Sequence, residues 1–323
     1  MKQKSKALLN NILLIFLALQ PFFDIYMSIV GEKLDVFGMS IATIIRTTLI
    51  VTLFVIVAVY QIRNKKHVKL LYIAVAYLAC VLIYVIAHHL NIAYSNGYYI
   101  TQKLYSVLTE IMYVERLVIP ALLLYTVIIL KPNKDKLEKT ILCVATIVSL
   151  VIIITNIFKC SFASYSKSAI QDSVISYNLF DWFKDSDIPY KESLSKGLFV
   201  SANQIGALLV VLLPITMYTM LSKKKWYMFV IYFLQIISMT LIGTRVASLG
   251  WILVSIAILL VYYIVCIIKK EKTLKLQQIF TIIVIMEAAF LLYMNSPAHN
   301  RDFIDSYQDM YEEEIEEIKQ TGE

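Results

Sequence analysis

Hydrophobic positions gather into nine long runs, at 8–29, 40–62, 70–88, 107–130, 140–158, 198–221, 226–243, 246–268 and 277–294. Polar residues are confined mostly to the short stretches between them. A helix of about 20 mostly apolar residues crosses roughly 30 Å of hydrocarbon, so each run is long enough for one span. The pattern predicts an all-α, polytopic membrane protein of about nine transmembrane helices.

The connections alternate in charge. Lys2, Lys4 and Lys6 precede the first run, and Arg63, Lys65, Lys66 and Lys69 follow the second. Lys131, Lys134, Lys136 and Lys139 follow the fourth, Lys223, Lys224 and Lys225 the sixth, and Lys269, Lys270, Lys272 and Lys275 the eighth. The other connections hold few cations: Lys33, Lys103 and Arg245. The longer segment 159–196 carries five lysines, balanced by Asp172, Asp181, Asp185, Asp187 and Glu192. Because basic loops stay on the cytoplasmic side, the reading places the N-terminus in the cytoplasm, segment 159–196 outside, and the tail outside. The expected organisation is a membrane domain at 1–295 and an acidic extracellular tail at 296–323, with Glu312, Glu313, Glu314, Glu316 and Glu317 on a short exposed helix.

Composition narrows the class further. The chain is 59% apolar and 16% charged, where soluble domains carry about a quarter charged residues; this excludes a soluble enzyme, a disordered tail and a disulfide scaffold. The net charge of +7 would suit nucleic acid, but the cations lie between the runs, so membrane lipids are the expected partners and nucleic acid is not. The first run is too long for a cleaved secretory signal and lacks an A-x-A site. Cys80, Cys143 and Cys266 lie within runs and Cys160 just outside one, so no disulfide framework is implied.

Ionisable side chains inside a span cost several kcal/mol, about 3 by insertion scales, which makes each a functional candidate. They are Asp24, Arg46, Glu110, Glu115, Arg116, Arg245 and Glu287. All but Glu287, near the middle of the ninth run, fall toward the predicted outer side, as a polar cavity open to that face would require. The plainer alternative is that they pair with one another and fix helix packing. Arg116 needs a partner from another helix or an anionic ligand, because Glu115 points about 100° away on the same helix. Arg245 stands in the tight turn Gly243-Thr244-Arg245, followed by the small residues Ala247, Ser248 and Gly250, which let another helix or a ligand approach closely.

The sixth run opens with Gly197-Leu198-Phe199-Val200-Ser201-Ala202-Asn203-Gln204-Ile205-Gly206. The amides of Asn203 and Gln204 are suited to hydrogen-bond a sugar or a phosphate oxygen. This segment, the Gly243-Thr244-Arg245 turn and Tyr113-Val114-Glu115-Arg116 together resemble the O-antigen ligase and polysaccharide polymerase superfamily, in its low-GC Gram-positive form. The resemblance spans nearly the whole chain.

That resemblance implies a cell-surface polysaccharide glycosyltransferase needing no metal or other cofactor. An undecaprenyl-diphosphate-linked glycan donor would give up its sugar chain at the outer face to an acceptor hydroxyl on a saccharide or lipid. Arg245 matches the family's outer-turn arginine and would neutralise the diphosphate leaving group. Asn203, Gln204, Arg116, Arg46 and Glu115 would bind substrate. Family members continue into a large outer loop with a catalytic histidine and further spans, whereas this sequence stops at Glu323 and resembles a C-terminally truncated member. His299 is the histidine left to act as a weak candidate base. Two alternatives stay open: a transporter or flippase for lipid-linked saccharides, and an inactive truncated member acting as a scaffold.

Overall fold

A computed structural model describes residues 3–30, 35–36, 39–64, 68–94, 107–166, 174–184, 188–270 and 276–299. The acidic tail beyond His299 and the cations Lys33, Lys65, Lys66, Lys103, Lys272 and Lys275 lie outside the described residues. The elements are α1 (Gln3–Val30), β1 (Asp35–Val36), β2 (Met39–Ser40), α2 (Ile41–Asn64), α3 (Val68–Tyr94), α4 (Val107–Leu130), α5 (Lys134–Ile157), α6 (Tyr190–Ser193), α7 (Ala202–Lys223), α8 (Trp226–Ile242), α9 (Arg245–Lys269) and α10 (Leu276–Met294). Among the described residues eight helices are long and apolar enough to cross a membrane; α8 is apolar but has only 17 residues. Each of these nine matches one predicted run. The strands β1 and β2 form a two-residue antiparallel hairpin, too small to alter the fold class.

Several helices stop at lysines. Lys131, Lys159, Lys224 and Lys270 all adopt the left-handed conformation, with φ of 48°, 51°, 52° and 54°. A β-carbon makes that conformation costly. The cation at the negative end of the helix dipole offsets part of the cost.

The chain divides into two compact units. One comprises Met1–Phe16 and Leu34–Lys136, the other Leu17–Lys33 and Leu137–Glu323. In the first, α4 packs on α2 and α3. Polar ties cross this apolar packing: Thr47 Oγ1 donates to the Glu115 carboxylate, Tyr125 Oη to Gln61 Oε1, and Tyr77 Oη to the Leu117 carbonyl at 3.2 Å. The third helix extends to Tyr94, so His88 lies inside it rather than at its end. His88 Nδ1 is 3.0 Å from the buried Glu110 carboxylate.

In the second unit α7 is the central helix, packed against both α8 and α9, while α10 packs on α8. Ile152, Leu209, Leu213, Met217, Tyr232, Ile236 and Trp251 are fully buried there. Several polar groups in this interior are paired: Tyr232 Oη donates to Ser255 Oγ at 2.8 Å, Gln235 Nε2 to the Leu209 carbonyl at 2.9 Å, and Ser238 Oγ to Ser149 Oγ at 3.1 Å. Such interhelical bonds act as glue where the apolar driving force between helices is weak. The small residues noted in the sequence admit a helix. A Cβ on Gly206 would lie 3.1 Å from Thr244 Oγ1 and 3.2 Å from Ala247 Cβ, and one on Gly250 would lie 2.7 Å from Val210 Cγ2. Glu287 is exposed on the flank of α10.

Candidate functional site

At one end of the second unit α5 and α8 finish, α7 and α9 begin, and the described loop residues 158–166, 174–184 and 188–200 fold over them. Backbone pairing holds these residues in place. Phe162 N donates to the Gly197 carbonyl at 2.9 Å and Lys196 N to the Phe162 carbonyl at 3.0 Å. Ser164 N donates to the Leu194 carbonyl at 2.8 Å, and Ser195 N to the Leu241 carbonyl at the end of α8, at 2.9 Å. Ser161 Oγ lies 2.7 Å from Ser195 Oγ and accepts from Gly197 N at 2.8 Å. The loop's far edge is pinned by Asp181, whose carboxylate meets Lys159 Nζ at 2.8 Å and the Asn178 N–H at 3.0 Å. These bonds, with Lys184, pull the Asp181 pKa down to about 2.

This folding encloses a small polar pocket of about 130 Å³. Ser164, Ser166, Lys196, Asn203 and Thr244 supply its polar wall. Lys196 is 2% exposed, and its ammonium donates to Ser166 Oγ at 3.2 Å. Burial lowers the Lys196 pKa, while the nearby Asp24 carboxylate opposes that shift. Asp24 also accepts the Val200 N–H at 3.1 Å, so α1 fixes the approach to α7. Ser164 Oγ is buried with no partner among the described residues.

Two helix N-termini open on the same pocket. Ser201 caps α7, its hydroxyl accepting from Gln204 N at 3.4 Å, and Thr244 caps α9, accepting from Ala247 N at 3.3 Å. First-turn N–H groups lack intrahelical acceptors and carry the positive end of the dipole. Two such ends and a buried ammonium make a site suited to an anion.

The predicted site residues separate on this geometry. Asn203 and Gln204 are both exposed, but Asn203 is in the pocket wall and Gln204 is outside it. Arg245 follows the wall residue Thr244 as the first residue of α9, with an exposed side chain. Arg46, Glu115 and Arg116 belong to the first unit: Arg46 is half-buried on α2, Glu115 is bonded by Thr47, and the exposed Arg116 guanidinium lies 5.5 Å from the centre of the Tyr113 ring. His299 sits in the turn after α10, its ring edge-on to Tyr293 at 5.6 Å, and is not in the pocket wall. Lys196 is the residue that sequence reasoning missed. It stood as one of five lysines in a charge-balanced loop, and only its place directly before Gly197 and the amide-bearing segment set it apart.

The family model described as "O-antigen ligase like membrane protein" matches residues 6–321, across all nine apolar helices. The chain belongs to that family. No curated protein and no solved structure matches it. As an O-antigen ligase-like membrane protein it is a multi-pass protein of the cell membrane with a role in glycan processing. In this O-antigen ligase-like chain the pocket and Arg245 lie on the unit built around α7, the helix that opens with the glycine- and amide-bearing segment.

Proposed function

We propose that this chain transfers glycan from an undecaprenyl-diphosphate-linked donor to an acceptor hydroxyl at the outer face of the membrane. The observation carrying this reading is the anion-suited pocket formed by Lys196 and the starts of α7 and α9, with Arg245 directly beside it. In the reaction the acceptor hydroxyl oxygen attacks the anomeric carbon and releases its proton to solvent, the bond from that carbon to the phosphate oxygen breaks, and the electron pair leaves on the diphosphate. Arg245 neutralises the departing charge through bidentate contacts. Lys196 adds a point charge deeper in, and Asn203 orients the sugar or a phosphate oxygen. Only residues of the second unit are used, and no proton is routed through His299. The outward orientation is supported by lysines 223–225, 269 and 270 at the opposite end of α7, α8 and α9.

The test is the purified full chain in proteoliposomes, supplied with a labelled lipid-linked oligosaccharide and a saccharide acceptor. Appearance of elongated product together with free undecaprenyl diphosphate is expected. Movement of the donor across the bilayer with no transfer would overturn the reading in favour of a carrier.

Lys196 gives this reading a pH signature. Its ammonium must be charged to hold an anion, and its pKa lies below the ordinary 10.5. Donor binding is therefore expected to be lost as pH rises through that lowered value, before an exposed lysine would titrate. Lys196→Arg, charged throughout this range, is expected to move the alkaline limb upward. Lys196→Met is expected to cost about 100-fold in transfer, the lower range for losing one donor to a developing anion. A pH–rate profile unchanged by Lys196→Arg would remove Lys196 from the mechanism.

A further inference from the structure

The second unit holds another cavity, at the end of α8 far from Arg245. The groove has a volume of about 460 Å³ and lies between the first halves of α8 and α10. Along its length the walls are apolar, from Phe229, Val230 and Phe233 on α8 and Ile285 on α10. Most of the polar groups gather at one end, where Lys224, Gln277 and Gln278 line it; Thr281, one turn further along α10, spends its hydroxyl proton on the Gln277 carbonyl at 2.9 Å. Trp226, 78% exposed, stands at the same end. The groove is thus a lengthwise slot with an apolar body and a cationic mouth.

We propose that this groove binds one anionic phospholipid, with the phosphate at Lys224 and an acyl chain along Phe229 and Phe233. Two independent features favour that occupant. The first is height in the membrane. At 1.5 Å per residue α8 spans about 26 Å, less than the roughly 30 Å of a hydrocarbon core. Its start is accordingly drawn to the headgroup boundary, where an exposed tryptophan anchors. The second is the division of labour among three consecutive lysines. Lys223 is paired with Glu138, and Lys225 lies over the Tyr227 ring at 5.8 Å, whereas Lys224, turned by its left-handed backbone, lines the groove. Basic pockets between spans are where anionic headgroups lodge. A zwitterionic lipid brings its own cation to the same mouth and loses that attraction.

The site is separate from the glycan-transfer pocket, since α8 starts at one and ends at the other. The proposal therefore stands whether or not glycan transfer does.

Native mass spectrometry of the full chain, titrated in detergent with phosphatidylglycerol or with phosphatidylcholine, reads the proposal directly. One retained phosphatidylglycerol is expected, bound at least about fivefold more tightly than phosphatidylcholine, the factor one lysine supplies near an anionic surface. Lys224→Glu is expected to abolish that preference, and Val230→Trp to weaken both lipids by filling the slot. Lys159→Glu, at the opposite end of the unit, is expected to change neither. Matching circular dichroism and lipid-free melting curves for the variants separate binding from folding. Equal retention of the two lipids, or a preference that survives Lys224→Glu, would overturn the proposal. So would glycerol phosphate alone competing as well as the whole lipid, because the apolar slot would then contribute nothing.

Discussion

Arg245→Ala is expected to lower glycan transfer by about 100- to 1000-fold, the range for removing one group that stabilises a developing anion. Lipid-linked donor should accumulate in cells as polymer disappears, and the purified variant should release undecaprenyl diphosphate at a correspondingly lower rate. The fold should be indifferent to the change. Arg245 is exposed, and the first turn of α9 is capped by Thr244 rather than by the guanidinium. Lys is a sharper control than Ala. Arg245→Lys keeps the charge but loses the planar fork that grips two phosphate oxygens, so it should recover only part of the rate. Normal polymer with Arg245→Ala in a stably inserted protein would remove the arginine from the chemistry, and the glycosyltransferase reading would lose its principal electrophilic group.

Gly243→Ala should be the most damaging single-methyl change in the second unit. Gly243 sits at φ +66°, and a Cβ there would come within 2.5 Å of both terminal methyl carbons of Leu194. The left-handed backbone costs about 1–2 kcal/mol for a residue with a β-carbon. Forcing a methyl into a packed site costs a further 1–3 or so. The strain falls directly on the candidate site. Leu194 is fully buried, Ser195 bonds the end of α8, and Lys196 follows. Pushing Leu194 aside therefore displaces the buried ammonium. A clear loss of thermal stability in detergent is expected together with loss of transfer. Combining Gly243→Ala with Leu194→Ala relieves the clash but not the backbone strain, so in a double-mutant cycle the pair should lose less than the sum of the single changes. A Gly243→Ala protein that melts and reacts like the parent would mean that the turn does not set the loop's position.

The nine helices were legible in the sequence because membrane insertion reads a local quantity, the apolar content of about 20 consecutive residues. The turn at Gly243-Thr244-Arg245 was legible for a related reason. It is the short interruption between two apolar runs, and glycine at a helix end followed by a capping threonine is a local signal too. The end of α3 was less so, because the run fades gradually from 88 while the helix continues to Tyr94. The small residues after Arg245 were recognised as permitting close approach, but which body approaches was not written in them. It proved to be α7, through Gly206.

What the sequence determined by itself, then, is the class of the molecule, its helices and the arginine turn, all properties of neighbouring residues. Tertiary structure alone decided which polar groups share a site. Nothing local distinguishes Asn203 from Gln204, or Lys196 from the other lysines of its loop. Their roles depend on partners remote in sequence. Ser166 accepts from Lys196 across 30 positions, and Asp24 on α1 bonds Val200 across 176. Burial of a charge is a property of the whole packed unit, and a window sliding along the chain has no access to it.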